Sequence, residues 1–297
     1  MNRESVKVLS FHQDPVLFRE AISFTVNTTG FRREQLEKDY YCSVILSYLY
    51  EGKNHPMVFK GGSCLSKVYA DFYRLSEDLD FAISLSPSAS RSIRSKTIEP
   101  IRELVSIMPD IIYGVSLSGE FKGFNNSTQY VAEVVYHSIF TGKAEKIKVE
   151  VGLREKLLDA PKRIKTKTLL FEPLKGQSLV PEFTVTCMSL KETFSEKLRA
   201  ALTRKDLAIR DFYDIDYAVR KMNFNLNEEQ FLEFVKKKLA VPGNDPMNIS
   251  LARKEILKRQ LEAELKPILR EQDFQQFDLD RAFNLVGEVR SKALQTR

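Results

Sequence analysis

The chain has 297 residues, of which 43% are hydrophobic and 29% are charged, a composition that excludes disordered and fibrous proteins. The length suits one large domain or two moderate ones, and we favour two. The sequence has no apolar run of about 18 residues and no signal-peptide segment, so we expect a cytoplasmic protein without a membrane partner. Three widely spaced cysteines, without a C-x-x-C pair, argue against a disulfide framework and against a structural zinc site.

The first part of the chain predicts two helices, followed by a strand and a glycine turn. Asp14-Pro15 is typical of a helix start, and residues 16–26 follow it as a plausible helix. Apolar residues recur at four-residue steps over residues 36–49, which indicates a second helix with a wide apolar face. Residues 57–59 form a short apolar run that stops at a double glycine, and helical spacing resumes after it. This order predicts strand, glycine turn and helix.

Strands dominate the region that begins at Asp78. Asp78 and Asp80 alternate with Leu79 and Phe81, so the two carboxylates lie on one face of a predicted strand and the apolar side chains on the other. Further predicted elements are a helix over residues 90–107, strands over residues 111–117, 130–140 and 147–153, and a turn at Gly123-Phe124-Asn125-Asn126. A mixed sheet flanked by helices results.

Beyond a short strand over residues 183–186, the pattern becomes almost wholly helical to the C-terminus. The helical region opens with Ser189 and Glu192, the two ends of a capping box. We therefore predict an α+β protein with two domains. The first, over residues 1–185, is a mixed β-sheet flanked by helices, and the second, over residues 186–297, is helical.

Basic residues are concentrated between Gly152 and Lys175. Seven cations and three anions occur there, whereas the whole chain has a net charge of only +6. This stretch is either an edge that contacts nucleic-acid phosphates or a solvated loop, and charge alone favours neither.

Two candidate chemical motifs lie close together in the sequence. Asp78 and Asp80 leave one face of a strand about 7 Å apart at their bases, given a rise of ~3.3 Å per residue, which suits a bound Mg²⁺. Gly61-Gly62-Ser63 opens a helix, where backbone N–H groups and a hydroxyl bind phosphate. Taken singly, the motifs also fit a solvated strand edge and a tight turn with a serine cap. Their order within one short segment is much more specific.

The stretch Phe59–Lys67, followed by Arg74–Asp80, resembles the AbiEii/MenT family of toxin nucleotidyltransferases, in the DNA polymerase β-like superfamily. The resemblance implies a nucleotidyltransferase fold that binds an NTP and Mg²⁺ or Mn²⁺. The residues implied in nucleotide binding are Gly61, Gly62, Ser63, Lys67, Arg74 and Lys197. The aspartates implied in metal binding and catalysis are Asp78 and Asp80.

Lys67 and Arg74 match basic positions of the same motif block. Each either contacts the triphosphate or pairs with a nearby carboxylate, Asp71 or Glu77. For Arg74 we favour a mixed role that includes orienting the aspartate strand.

Members of the superfamily usually supply a third carboxylate from a neighbouring strand, which ligates metal and helps to deprotonate the acceptor hydroxyl. Glu150 is our choice, because Val149 and Val151 point to the opposite face of its predicted strand. Glu133 is a rival with the same pattern. Either glutamate is otherwise an exposed strand residue.

In the helical region, Lys197 and an R-D-x-x-D segment look like the lysine helix and acidic segment of the same family. The resemblance implies catalytic roles for Lys197 and Asp211, with Lys197 reaching a triphosphate over the first domain. Asp211 and Asp214 lie one helical turn apart. They either orient Lys197, pair with Arg210 or Arg204, or only stabilise helix packing.

The resemblance further implies an enzyme that transfers a nucleoside monophosphate from an NTP to RNA, such as the tRNA 3′ end. Such an enzyme would be the toxin of an abortive-infection toxin–antitoxin system, with a winged-helix antitoxin encoded next to it. A protein acceptor and a housekeeping or antibiotic-modifying transferase are alternatives. A non-catalytic module that binds nucleotide or nucleic acid is another, although the intact carboxylates count against it.

Overall fold

The computed structural model describes residues 10–52 and 54–295 of the chain. Its contacts divide the chain into two compact units. The first unit comprises the residues up to Leu157 and Pro161–Met188, and the second comprises Leu158–Ala160 and the residues from Ser189 onward. The first contains a mixed β-sheet with helices and the second is helical, so the predicted α+β fold is confirmed.

Two helices open the first unit, α1 (Pro15–Thr29) and α2 (Arg33–Tyr50), as the sequence predicts. The Asp14 carboxylate caps α1 by accepting hydrogen bonds from the backbone N–H groups of the second and third helical residues, both at 3.1 Å. The chain leaves α1 at Gly30, whose φ of +77° lies in the left-handed region that glycine favours. Helix α2 is buried along most of its length, so it belongs to the core of this unit.

A mixed sheet forms the centre of the first unit. Its strands are β1 (Val58–Lys60), β2 (Leu79–Ala82), β3 (Val115–Leu117), β4 (Lys122–Phe124), β5 (Gln129–His137), β6 (Ala144–Gly152), β7 (Lys162–Thr166) and β8 (Phe183–Cys187). They lie in the order β3-β5-β6-β2-β1-β8-β7, and β4 pairs with β5 outside this path. Strand β2 is antiparallel to β1 and parallel to β6, so the aspartate strand has a neighbour on each side.

In chain order, the other helices of the first unit lie between β1 and β3. Helix α3 (Gly61–Cys64) follows β1 directly and continues as a π-helical turn over Leu65–Tyr69. Helix α4 (Arg91–Ser106) is capped by Ser90, whose hydroxyl oxygen accepts a hydrogen bond from the third helical N–H at 3.3 Å. A short helix, α5 (Met108–Ile111), comes next. The predicted glycine turn and the predicted helix over residues 90–107 are therefore both present.

The strands differ from those predicted in several places. The strands expected over residues 130–140 and 147–153 run over Gln129–His137 and Ala144–Gly152. The strand expected from residue 111 begins only at Val115, because the preceding residues form α5. Gly123 and Phe124 belong to β4, and the turn lies at Asn125–Ser127, where φ is positive. The basic stretch contains β7, a strand that its polar sequence does not predict. Strand β7 lies at the sheet edge, where charged side chains face solvent and prevent pairing with other chains.

The second unit consists of helices α6 (Leu190–Thr203), α7 (Ile209–Met222), α8 (Glu229–Leu239), α9 (Leu251–Gln260), α10 (Glu271–Gln276) and α11 (Leu279–Gln295). Ser189 caps α6 by accepting a hydrogen bond from the Glu192 N–H at 3.2 Å. The Glu192 carboxylate instead accepts from the N–H groups of Leu158 and Asp159, so only the serine half of the predicted capping box forms. No helix within residues 10–52 and 54–295 is both long and apolar enough to cross a membrane.

Candidate functional site

The glycine turn and the aspartate strand are in direct contact. Lys60 ends β1 and is the antiparallel partner of Asp80 in β2. The next residue, Gly61, has a φ of +79°, a conformation that strains any residue with a side chain. A Cβ atom on Gly61 would also lie 2.5 Å from Asp80 Oδ2, closer than nonbonded atoms approach each other. Glycine is therefore favoured here for two reasons. The two motifs, which are separate in the sequence, form one site.

Ser63 connects this turn to the start of the aspartate strand. Its buried hydroxyl donates a hydrogen bond to the backbone carbonyl oxygen of Asp78. A serine hydroxyl has one proton to donate, so in this conformation Ser63 does not offer it to a phosphate. In this conformation Ser63 supports the Asp78 backbone, and its predicted role in binding phosphate stays a prediction.

Arg74 packs against the second glycine of the turn. The residue is only 1% exposed, and its Nη1 donates a hydrogen bond to the Leu75 carbonyl oxygen at 3.1 Å. A Cβ atom on Gly62 would lie 2.6 Å from Arg74 Nη2, so the glycine leaves the space that this guanidinium occupies. Arg74 therefore supports the turn and the segment leading into β2, which is the positioning part of its predicted mixed role.

Lys67 is turned into the core of the first unit. The residue is 2% exposed, and its Nζ lies 2.6 Å from Asp39 Oδ1 and 2.8 Å from Ser43 Oγ, both in α2. Asp71, one of the partners considered for it, pairs with Lys167 at 3.1 Å. The predicted contact of Lys67 with a nucleotide does not fit this geometry, because the ammonium group is enclosed and already paired.

Glu150, and not Glu133, lies beside the aspartate strand. In the parallel pairing of β2 with β6, Asp80 is the register partner of Glu150. Glu133 lies one strand further away, in β5, where it is opposite Lys148 and binds Lys146 at 2.6 Å. Of the two candidates for a third carboxylate, the structure therefore brings Glu150 to the aspartates.

Burial raises the pKa of Asp80, and its charged neighbours act on it in both directions. The ammonium groups of Lys60 and Lys148 lower this pKa. The carboxylates of Glu150 and Asp78 raise it, because like charges disfavour ionisation. These five groups form one electrostatic cluster, in which additional positive charge would stabilise the ionised form of Asp80.

Lys148 is a member of this cluster that was absent from the predicted set of site residues. Its Nζ lies 3.1 Å from Glu150 Oε2 and 4.0 Å from Asp78 Oδ2. The alternation of β6 indicates this position, because Lys148 and Glu150 are two residues apart and side chains at that spacing share a face of a strand.

The carboxylates have the donor chemistry of a Mg²⁺ or Mn²⁺ site. Asp78, Asp80 and Glu150 offer carboxylate oxygens, which hard divalent cations prefer as ligands. In the part of the chain that the structure describes, however, no group of three or more His, Cys, Asp or Glu side chains is arranged to hold a metal ion.

A second polar cluster lies in the helical unit. Lys197 Nζ is 3.0 Å from Asp211 Oδ1 and 2.8 Å from Asp214 Oδ2. Arg204 Nη1 binds Asp211 Oδ2 at 3.1 Å, so Arg204 is the arginine seen to pair with this aspartate. The two aspartates orient Lys197, one of the alternatives that the sequence left open. The catalytic roles of Lys197 and Asp211 stay predictions.

The fold is that of a nucleotidyltransferase. A structure described as a "putative nucleotidyltransferase" from H. pylori superposes with a TM-score of 0.51 and 16% identity, covering 89% of this chain and 96% of that chain. JHP933 from Helicobacter pylori gives a TM-score of 0.51 and 17% identity, covering 89% of this chain and 93% of that chain. At such identities the similarity shows the fold alone.

The family described as "Nucleotidyl transferase AbiEii toxin, Type IV TA system" matches residues 46–285. The chain therefore belongs to the AbiEii family of nucleotidyl transferase toxins, which confirms the resemblance seen in its motifs. The matched range includes the glycine turn, the three carboxylates and Lys197. A search of curated proteins finds no match.

Proposed function

We propose that the protein is an NTP- and Mg²⁺-dependent enzyme that transfers a nucleoside monophosphate to RNA, with the tRNA 3′ end as acceptor. The contact between Gly61 and Asp80 carries this proposal, because it sets a phosphate-binding type of turn against a cluster of carboxylates. A triphosphate and carboxylates repel each other unless a divalent cation lies between them. Membership of a toxin family supports a role in a toxin–antitoxin system.

The start of α3 is the proposed site for the NTP phosphates. The backbone N–H groups of its first turn are the proposed donors, since the first N–H groups of a helix have no partner within it. Gly61 and Gly62 carry no side chain that would keep a phosphate at a distance. Ser63 and Arg74 maintain the shape of the turn through the contacts described above.

Asp78, Asp80 and Glu150 are the proposed ligands of Mg²⁺ or Mn²⁺. When bound, the cation would neutralise triphosphate charge and stabilise the in-line displacement. Glu150 is also the proposed acceptor of the proton from the attacking hydroxyl, since a carboxylate beside the reacting group serves as a general base. The register pairing of Asp80 with Glu150 supports this division of roles.

RNA is the proposed acceptor because a basic strand lies at the edge of the sheet. Strand β7 exposes Lys162, Arg163 and Lys165, and rows of cations of this kind bind the phosphate backbone of nucleic acids. We place the reaction in the cytoplasm, where NTPs and tRNA occur together. A winged-helix antitoxin encoded next to the gene is the proposed partner that restrains it.

A labelling experiment tests the proposal. The protein is incubated with Mg²⁺, total RNA and each NTP in turn, labelled at the α-phosphate in one reaction and at the γ-phosphate in a parallel one. Asp80→Asn removes a proposed metal ligand with little change in side-chain size. Asp71→Asn is the matched control, because it makes the same change at a residue whose carboxylate pairs with a lysine at the surface.

We expect α-label on RNA with the wild type and with Asp71→Asn, and no γ-label on RNA. Asp80→Asn or EDTA should lower the rate at least about 100-fold, since both remove the proposed metal from the reaction. Transfer of no label with any NTP would eliminate the proposal. Label on protein would replace RNA by a protein acceptor, and γ-label on a product would indicate a kinase.

A further inference from the structure

Lys148 forms an ion pair with one of the three proposed metal ligands and lies near a second. Its Nζ is 3.1 Å from Glu150 Oε2, on the same strand, and 4.0 Å from Asp78 Oδ2. The strand register accounts for this position. Leu79 in β2 is the partner of Val149 in β6, so the residues that precede them, Asp78 and Lys148, are neighbours across the two strands.

The ammonium group of Lys148 can reach solvent from this position. Its side chain is 41% exposed, whereas that of Lys67, the enclosed lysine of the same unit, is 1% exposed. Lys67 cannot leave Asp39 without uncovering a buried charge. Lys148 can rotate away from its two carboxylates into water, where an ammonium group is well hydrated.

Asp78 and Glu150, the carboxylates beside Lys148, are ones that would hold a divalent cation. A cation held by them would carry positive charge close to the ammonium group, and the two charges would repel each other. Glu150 is already directed to Lys148, so the ammonium group would compete with a cation for this carboxylate.

We propose that Lys148 is an internal counter-cation of this site, acting on Asp78 and Glu150. Its ammonium group holds Asp78 and Glu150 together in the metal-free protein and moves into solvent when a divalent cation takes their oxygens. The inference rests on the proposed metal-binding role of these carboxylates. Lys148 is thus a positioning residue, and it sets the metal concentration at which the site fills.

Binding of Mn²⁺ in the absence of nucleotide tests this inference, with the free ion followed by electron paramagnetic resonance. The full chain is compared with Lys148→Met, which removes the charge, and with Lys148→Arg, which keeps it. Lys146→Met is the matched control, because Lys146 lies two residues earlier on the same strand but pairs with Glu133. Thermal melting confirms that each variant is folded, and Lys148→Gln replaces Lys148→Met if the latter does not fold.

We expect the neutral variants to bind Mn²⁺ at least about fivefold more tightly than the wild type, because a competing charge is removed from a partly exposed site. Lys148→Arg and Lys146→Met should bind with wild-type affinity. If the wild type binds Mn²⁺ and the neutral variants bind it equally or more weakly, the proposed role of Lys148 is overturned, while the metal site stands. If neither the wild type nor any variant binds Mn²⁺, the proposed metal site is overturned as well.

Discussion

Gly61 is the residue at which a single methyl group should disturb the site most. Gly61→Ala would place a Cβ atom 2.5 Å from Asp80 Oδ2 and would put alanine in a left-handed backbone conformation. The backbone strain costs about 1–2 kcal/mol, and the collision displaces a proposed metal ligand. We expect the rate of nucleotidyl transfer, measured with α-labelled NTP, to fall about 100-fold, as displacements near 1 Å do in other active sites.

Gly142→Ala separates the backbone strain of Gly61→Ala from its collision with Asp80. Gly142 also has a left-handed φ, +66°, but no atom lies within 4 Å of a Cβ built on it. Both variants should therefore lose the stability that the left-handed backbone costs, Gly61→Ala losing more, while only Gly61→Ala should lose activity. Equal activity in the two variants would show that the contact with Asp80 is unimportant for the reaction.

A further prediction at the level of single residues concerns the buried pair of Lys67 and Asp39. Lys67→Met would leave the Asp39 carboxylate buried without its cation, and the Oδ2 atom of Asp39 already has no hydrogen-bond partner among the described residues. We expect the free energy of unfolding in urea to fall by roughly 3–5 kcal/mol.

Replacing both members of the pair provides the control. Lys67→Met combined with Asp39→Leu removes both charges, so the double variant should regain part of the lost stability. A Lys67→Met protein that is as stable as the wild type but binds NTP weakly would contradict this assignment. That result would return Lys67 to the nucleotide site that its motif position predicts.

Among the elements of the sheet, the neighbouring strands β5 and β6 provide a matched comparison. Glu150→Gln in β6 removes a carboxylate directly beside Asp80, whereas Glu133→Gln in β5 makes the same change one strand further away. We expect Glu150→Gln to lower kcat by about 100-fold or more, the range typical of losing a general base. Glu133→Gln should retain nearly wild-type transfer of α-label to RNA. A comparable loss of activity in both variants would show that Glu150 is no more important for the reaction than Glu133.

Local patterns predicted the elements of the site better than its contacts. Alternation around Asp80 is sufficient to place its carboxylate on one face of β2, and a double glycine after an apolar run is sufficient to place a turn. The hydrogen bond of Ser63 to a backbone carbonyl and the pairing of Lys67 with α2 depend on tertiary packing, which local spacing does not encode. Strand β7 was missed because an edge strand exposed to solvent needs few apolar residues, and Ile164 is its sole aliphatic one.

In the molecule as a whole, the polar cluster of the helical unit and the carboxylate cluster of the sheet unit balance their charges in different ways. The helical unit buries Asp214 and Asp216 completely, and each has a cation within 3 Å, Lys197 at 2.8 Å and Arg281 at 2.6 Å. Such fully paired groups stabilise a fold only if every partner is present. In the sheet unit, Asp78, Asp80 and Glu150 are instead partly exposed, and their like charges act on one another. Crowded charges of this kind are typical of a binding site and locate the proposed chemistry in the sheet unit.

The proposed toxin activity predicts a phenotype for the intact protein. Induced expression in a bacterial host should arrest growth, because a tRNA whose 3′ end carries an added nucleotide cannot accept its amino acid. Asp80→Asn should relieve the arrest and Asp71→Asn should not, with immunoblots showing equal amounts of the three proteins. Extracted tRNA should carry extra 3′ nucleotides only in the two arrested cultures. Arrest by Asp80→Asn at equal expression would separate toxicity from nucleotidyl transfer and would point to another activity of the chain.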